Sequence, residues 1–290
     1  MSPAALTLLL LMQGGEAPAT EPQNTPLLEA LPEQPQPGGL VVITVQGGDP
    51  QCRIQGEFDG RALRFFQTES GRWRALFAIS LGRRPGQASL LVRISSAGEN
   101  LQVLGRPVEI LQKSFDSQTL SVDPRFLKPP ASERRRIREE NRILSLLWRA
   151  PATERQWRGS FIWPIEGEIA SAFGLRRVFN GRLRGRHYGL DIDAPEGAPV
   201  KAIGNGTVVL AADRYYSGGT VIVDHGLKLF SMYFHLSQIS VSEGQRVGQG
   251  DIIGLVGATG RATGPHLHLS VKLDGVTFDP VALFEADLSE

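Results

Sequence analysis

His266 and His268 stand two residues apart in Gly264-Pro265-His266-Leu267-His268-Leu269-Ser270-Val271. Alternation of apolar and polar residues with period two is the pattern of a half-buried strand. On such a strand the two imidazoles share one face, roughly 6–7 Å apart at their Cα atoms, while the leucines enter a core. Neutral imidazole binds zinc and also takes up a proton near neutral pH. One face carrying two of them therefore suits a metal ligand beside a proton-transfer group. Taken alone, the pair reads better as two surface histidines on an edge strand. The rest of the chain shifts that balance.

All five histidines lie between His187 and His268. His187-Tyr188-Gly189-Leu190-Asp191 sets an imidazole four residues before a carboxylate. Gly189, Pro195 and the β-prone neighbours oppose a helix there. Along a flat strand the two side chains stand roughly 13 Å apart, so sharing one metal requires a bend, which Gly185 and Gly189 permit. His235 ends the apolar run Tyr233-Phe234-His235 before Leu236-Ser237. His225, in Asp224-His225-Gly226, precedes a glycine turn and reads as a structural hydrogen-bonding residue.

The single cysteine, Cys52, excludes an intrachain disulfide and any multi-cysteine zinc site. Ligands must then come from His, Asp and Glu. A catalytic zinc needs about three protein ligands and an open position for water. His187, Asp191 and one member of the His-x-His pair meet that need. The other member is then left for acid or base work, with His235 as its companion. No His-Glu-x-x-His helix is present, which excludes the thermolysin type of site. Asp193 is either a hydrogen-bond partner behind the ligands or a plain surface carboxylate.

The elements that must position these groups are mainly β. The 290 residues suffice for two units, and a net charge of +1 makes no case for nucleic acid. Residues 4–12 form an apolar run too short to span a bilayer, and fit the core of a secretory signal peptide over residues 1–20. Residues 21–37, rich in Pro, Glu, Gln and Thr, read as a disordered tether. Short β-prone runs at Leu40–Val45, Ala62–Phe66, Trp73–Ile79 and Ser89–Ile94, separated by turns, predict a small β-sandwich over 38–115. A linker over 116–158 contains a helix over about 132–149, with Ser132 as its N-cap and Ile143, Leu144, Leu147 and Trp148 on one stripe. Residues 159–290 are again strand-rich, from Val200–Ile203 to His266–Leu273, with no amphipathic helix between strands. That pattern predicts an antiparallel β domain.

On these residues the sequence resembles the lysostaphin-like (LytM-type) zinc metallopeptidases. The likeness runs from about Trp163 to Phe284, through Ser171-Ala172-Phe173-Gly174, His187-x-x-x-Asp191, Asp224-His225-Gly226, Tyr233-Phe234-His235-Leu236-Ser237 and Gly257-Ala258-Thr259-Gly260-Arg261-Ala262-Thr263-Gly264-Pro265-His266-Leu267-His268. The upstream β unit and linker helix resemble the N-terminal region of a Gram-negative-type subgroup. The resemblance implies one zinc ion per chain, held by His187, Asp191 and His268. It implies His235 and His266 flanking the water and the scissile carbonyl. It also implies an exported endopeptidase acting on peptidoglycan peptides, in the periplasm or cell envelope. Family members often carry an aromatic residue after His-x-His, where this chain has Leu269-Ser270. The alternative is a non-catalytic regulator of cell-wall amidases with the same fold, but such relatives lose ligands and here all five positions are filled. A lipoyl-type carrier hairpin at Gly244–Ile253 lacks the modifiable lysine at its tip.

Overall fold

The computed structural model describes residues 26–47, 51–95 and 101–289. The leader expected over residues 1–20 lies outside them, as do residues 21–25 of the expected tether. The rest of that tether is not free chain. Leu27–Leu31 forms β1, paired antiparallel along β2 (Leu40–Gln46). Prolines on both sides hide this short apolar run in a Pro-rich composition, and the ladder to β2 is what makes it a strand.

Six more strands complete two four-stranded sheets. They are β3 (Arg53–Phe58), β4 (Arg61–Ala62), β5 (Phe66–Gln67), β6 (Trp73–Ala78), β7 (Gly86–Ser95) and β8 (Gln102–Ile110), ordered β1-β2-β6-β5 and β4-β3-β7-β8. Ala62–Phe66, expected as one strand, is instead the crossing between the sheets. The sheets close on a core containing Ile43, Phe58, Phe77, Leu90 and Val92. β2 and β6 read as nearly continuous apolar runs because both of their faces are covered. Val41 and Ile43 enter that core, while Leu40, Leu76 and Ala78 join the core of the C-terminal region.

The connecting stretch carries more structure than its sequence suggests. It holds β9 (Ser117–Leu120), α1 (Pro124–Leu127) and α2 (Ala131–Arg149). Pro130 occupies the N-cap of α2 and no side chain caps it, so Ser132 is not the cap. The helix is held by its apolar stripe. Leu144, Leu147 and Trp148 pack on Leu210, Ile222, Phe230 and Met232 of the C-terminal sheet. Among the described residues no helix is long and apolar enough to cross a membrane.

The C-terminal region contains β10 (Ile169–Ser171), β11 (Arg176–Phe179), β12 (Arg182–Arg186), β13 (Leu190–Ile192), β14 (Pro199–Lys201), β15 (Gly206–Arg214), β16 (Gly218–Asp224), β17 (Leu229–Leu236), β18 (Gln238–Ile239), β19 (Arg246–Val247), β20 (Ile252–Leu255), β21 (Leu267–Leu273), β22 (Val276–Phe278) and α3 (Pro280–Phe284). Its main sheet runs β10-β13-β21-β17-β16-β15-β19, with antiparallel pairing throughout and β22 on β21. β21 lies inside this sheet. Leu267, Leu269, Val271 and Leu273 point into the core, and alternation turns His268, Ser270 and Lys272 to the opposite face. A separate three-stranded sheet, β12-β11-β9, takes β9 as a parallel edge on β11, so the connecting stretch reaches the site.

Candidate metal centre

Three neighbouring strands set the centre. Asp191 on β13 and Phe234 on β17 both register with His268 on β21, one from each side. The Phe234 ring lies against the His268 ring with centroids 5.2 Å apart and 10° between planes. His187 arrives from the loop between β12 and β13. Its N–H donates to the Leu175 carbonyl at 2.8 Å, and its carbonyl accepts from Gly174 N–H at 2.8 Å. The chain then bends at Gly189, passing so close to β21 that a Cβ there would stand 2.3 Å from His268 Nε2 and 2.6 Å from the Leu269 carbonyl. This bend closes the gap that a flat strand would leave between His187 and Asp191.

The donor atoms converge. His187 Nε2 lies 3.0 Å from Asp191 Oδ1 and 3.1 Å from His268 Nδ1, and His268 Nδ1 lies 2.7 Å from Asp191 Oδ1. Tetrahedral zinc with ligand bonds of about 2.0–2.2 Å needs donors spaced about 3.3–3.5 Å apart, so a small relaxation admits the ion. The tautomer of His187 also fits. Its Nδ1 faces the Ala172 carbonyl at 2.8 Å, which can only accept, so Nδ1 carries the proton and Nε2 keeps its lone pair. Burial alone would raise the Asp191 carboxyl, but hydrogen bonds and charge from His187 and His268 outweigh it and hold the group far below the usual carboxylate range. Burial pushes His268 down, towards the neutral form that ligates metal. Two imidazoles and one carboxylate are a donor set suited to zinc.

His266 and His235 flank this cluster. His266 Nε2 is 3.7 Å from Asp191 Oδ1, and the two rings, His266 and His235, have centroids 4.9 Å apart. Each Nδ1 meets a backbone carbonyl, Gly264 at 2.8 Å for His266 and Thr259 at 2.7 Å for His235. Each ring therefore carries its proton on Nδ1 and keeps Nε2 basic. Burial lowers His235 to about 3, with repulsion from His268 and His266 adding to it. Strand alternation would turn His235 away from Phe234 and into the core beneath. Its backbone instead takes φ +63°, the left-handed region, and its N–H donates to the Ser217 carbonyl at 2.8 Å. That local break, unfavourable for a non-glycine residue, returns the imidazole to the site.

The structure thus brings together all five residues singled out in the sequence. His225 stands apart, as expected. It is fully buried, with Nδ1 at 2.8 Å from the Asn205 carbonyl and Nε2 at 2.8 Å from Ser231 Oγ.

The residues that sequence reasoning missed lie behind Asp191. The carboxylate's other oxygen, Oδ2, accepts from Arg177 Nη2 at 2.8 Å, a nearly buried ion pair. Gln118 Oε1 in turn accepts from Arg177 Nη1 and from Ser171 Oγ. Asp193 lines the cavity without taking this place. The cavity, about 740 Å³, is walled by Tyr188, Tyr216, Phe234 and Arg261, and α2 adds Leu144 and Trp148.

Residues 185–280 match the sequence profile of peptidase family M23. The chain is 40% identical over 116 residues to the peptidoglycan DD-endopeptidase ShyA of Vibrio cholerae, covering 39% of this chain and 27% of ShyA. It is 38% identical over 118 residues to the DD-carboxypeptidase/endopeptidase Mpg of Neisseria meningitidis, covering 40% of this chain and 26% of Mpg. The chain thus spans about a quarter of the length of these curated relatives. A crystal structure of a peptidase M23 from Pseudomonas aeruginosa superposes with a TM-score of 0.65 at 30% identity, covering 87% of this chain and 95% of that one.

Proposed function

The chain belongs to peptidase family M23, and from that premise we propose that it is a zinc-dependent endopeptidase hydrolysing peptide bonds in peptidoglycan stem peptides or crosslinks. The observation that carries the reading is the convergence of His187 Nε2, Asp191 Oδ1 and His268 Nδ1 within 3.1 Å of one another, beside two further imidazoles in an open cavity. The DD-endopeptidase activity of ShyA supports the substrate class.

His187, Asp191 and His268 would hold one zinc ion, which would supply Lewis-acid chemistry, polarising a carbonyl and lowering the pKa of water. His266 and His235 move the protons. With each Nδ1–H tied to a carbonyl, each Nε2 is free to take a proton from the attacking water, and His235, depressed by burial, rests as a base at neutral pH. The Nε2 that has taken the water's proton then returns it to the leaving amine as the C–N bond breaks. Arg177 holds the Asp191 carboxylate in place through Oδ2, and Phe234 lies against the His268 ring. Peptidoglycan lies outside the cytoplasmic membrane, so this reading takes the chain to the periplasm or cell envelope.

Dye-labelled sacculi test the reading. The zinc-loaded chain should release dye, and both chelation and His187→Ala should stop it. Release that persists in the chelated protein would contradict it.

A further inference from the structure

Arg261 is held between two aromatic rings in the wall of the cavity. Its Cζ lies 5.0 Å from the centroid of Phe179 and 5.2 Å from that of Tyr216. Its backbone N–H donates to the Tyr216 carbonyl at 2.8 Å. The preceding Gly260, at φ +69°, packs so closely that a Cβ would stand 2.4 Å from the Gly218 nitrogen. The chain thus fixes this guanidinium from its backbone and from both aromatic neighbours.

The other cations of the cavity have acceptors. Arg177 serves Asp191 and Gln118, Arg186 Nη1 donates to the Gly174 carbonyl at 3.1 Å, and Lys272 Nζ donates to Thr277 Oγ1 at 2.9 Å. Among the described residues, no carboxylate or carbonyl receives the guanidinium of Arg261. A cation over an aromatic ring is drawn to the ring's electron-rich face, which offers no oxygen acceptor, so the N–H donors of this fork remain without a carboxylate or carbonyl partner. A half-buried, positioned fork with unused donors matches a carboxylate in both charge and geometry. Burial disfavours the cation, with Tyr216 opposing and Arg177 adding to that effect, and an incoming anion would favour it.

We propose that Arg261 is the carboxylate anchor of the substrate groove, donating to a free carboxylate of the bound peptide and selecting anionic peptides over neutral ones. This rests on the peptidase reading and adds the chemistry of its substrate. A purely structural Arg261, filling the wall between Phe179 and Tyr216, is the competing account.

The test uses the zinc-loaded full chain and two crosslinked stem-peptide dimers, one with free carboxylates and one with each carboxylate amidated. The wild type should favour the free form by about tenfold or more in kcat/KM, as expected for losing a charge-assisted hydrogen bond. Arg261→Gln should bring that ratio near one, chiefly through KM, with zinc content and Tm unchanged. Arg261→Lys should keep part of the preference, and serves alone if the glutamine variant does not fold. A wild-type ratio retained in Arg261→Gln overturns the proposal, including the case where both dimers slow equally. If the wild type cuts neither dimer, the peptidase reading fails. Calorimetric titration of the same dimers then still decides on Arg261, by whether the anionic preference in binding disappears with the side chain.

Discussion

Asp191 and His268 are direct cross-strand partners on β13 and β21, and the carboxylate Oδ1 stands 2.7 Å from the imidazole Nδ1. The contact follows from the register of an antiparallel ladder whose other face is buried under Leu267 and Leu269. A slip of one residue would turn His268 into the core, so the core that fixes the register also fixes these two donors. The register and the core thus bring the donor atoms together.

The support behind Asp191 comes from elsewhere in the chain. Arg177→Met should leave the carboxylate buried with one oxygen unpaired. Zinc affinity, measured by competition with a chromogenic chelator, should fall by about 10–100-fold, the usual effect of removing a group that orients a ligand. Gln118→Ala should act in the same direction more weakly. Unchanged affinity in both variants would show that Arg177 and Gln118 are not part of the support.

The roles of the His-x-His pair separate on substitution. His268→Ala should lose the metal, whereas His266→Ala should keep about one zinc per chain and lose turnover by about 10²–10⁴-fold. Metal analysis beside digestion rates checks both. Full zinc in His268→Ala, or wild-type rates in His266→Ala, would reverse the assignment.

The pair was legible because its period of two is local: Leu267 and Leu269, alternating with the histidines, declare a core on one side. The bend between His187 and Asp191 was legible as a requirement, and Gly189 meets it where the backbone passes the His268 ring. The placement of His235 was not, since alternation sends it to the wrong face and only its positive φ returns it. Arg177 and Gln118 carry no sequence signal. Their meeting depends on β9 lying parallel to β11, a pairing that brings together residues 59 apart in the chain. β1 was hidden for a related reason, because its pairing with β2, more than its composition, makes it a strand.

His235 gives a further expectation. Asparagine tolerates the left-handed backbone better than alanine. His235→Asn should be more stable than His235→Ala by about 1 kcal/mol in denaturant unfolding, with both losing turnover. Equal stability would show that the backbone relaxes once the imidazole is gone.

His225 gives a pH dependence. Burial lowers it from 6.5 to about 4, so the unfolded chain binds more protons than the folded one between those values. Its contribution is complete above pH 6.5 and is lost as pH falls towards 4, by about 3 kcal/mol at 1.36 kcal/mol per unit. Denaturant melts of metal-free protein across this window should show the loss, and His225→Gln should show a shallower slope at lower overall stability. Identical slopes would mean that His225 does not titrate between the two states.

The central claim is that this centre cuts peptide bonds in the cell wall. Purified sacculi incubated with the zinc-loaded full chain, with the released fragments read by mass spectrometry, test it most directly. The account predicts fragments with newly formed peptide termini and intact glycan linkages, absent after chelation or His268→Ala. Fragments from cleaved glycan bonds, or no new termini from zinc-loaded protein, would contradict it.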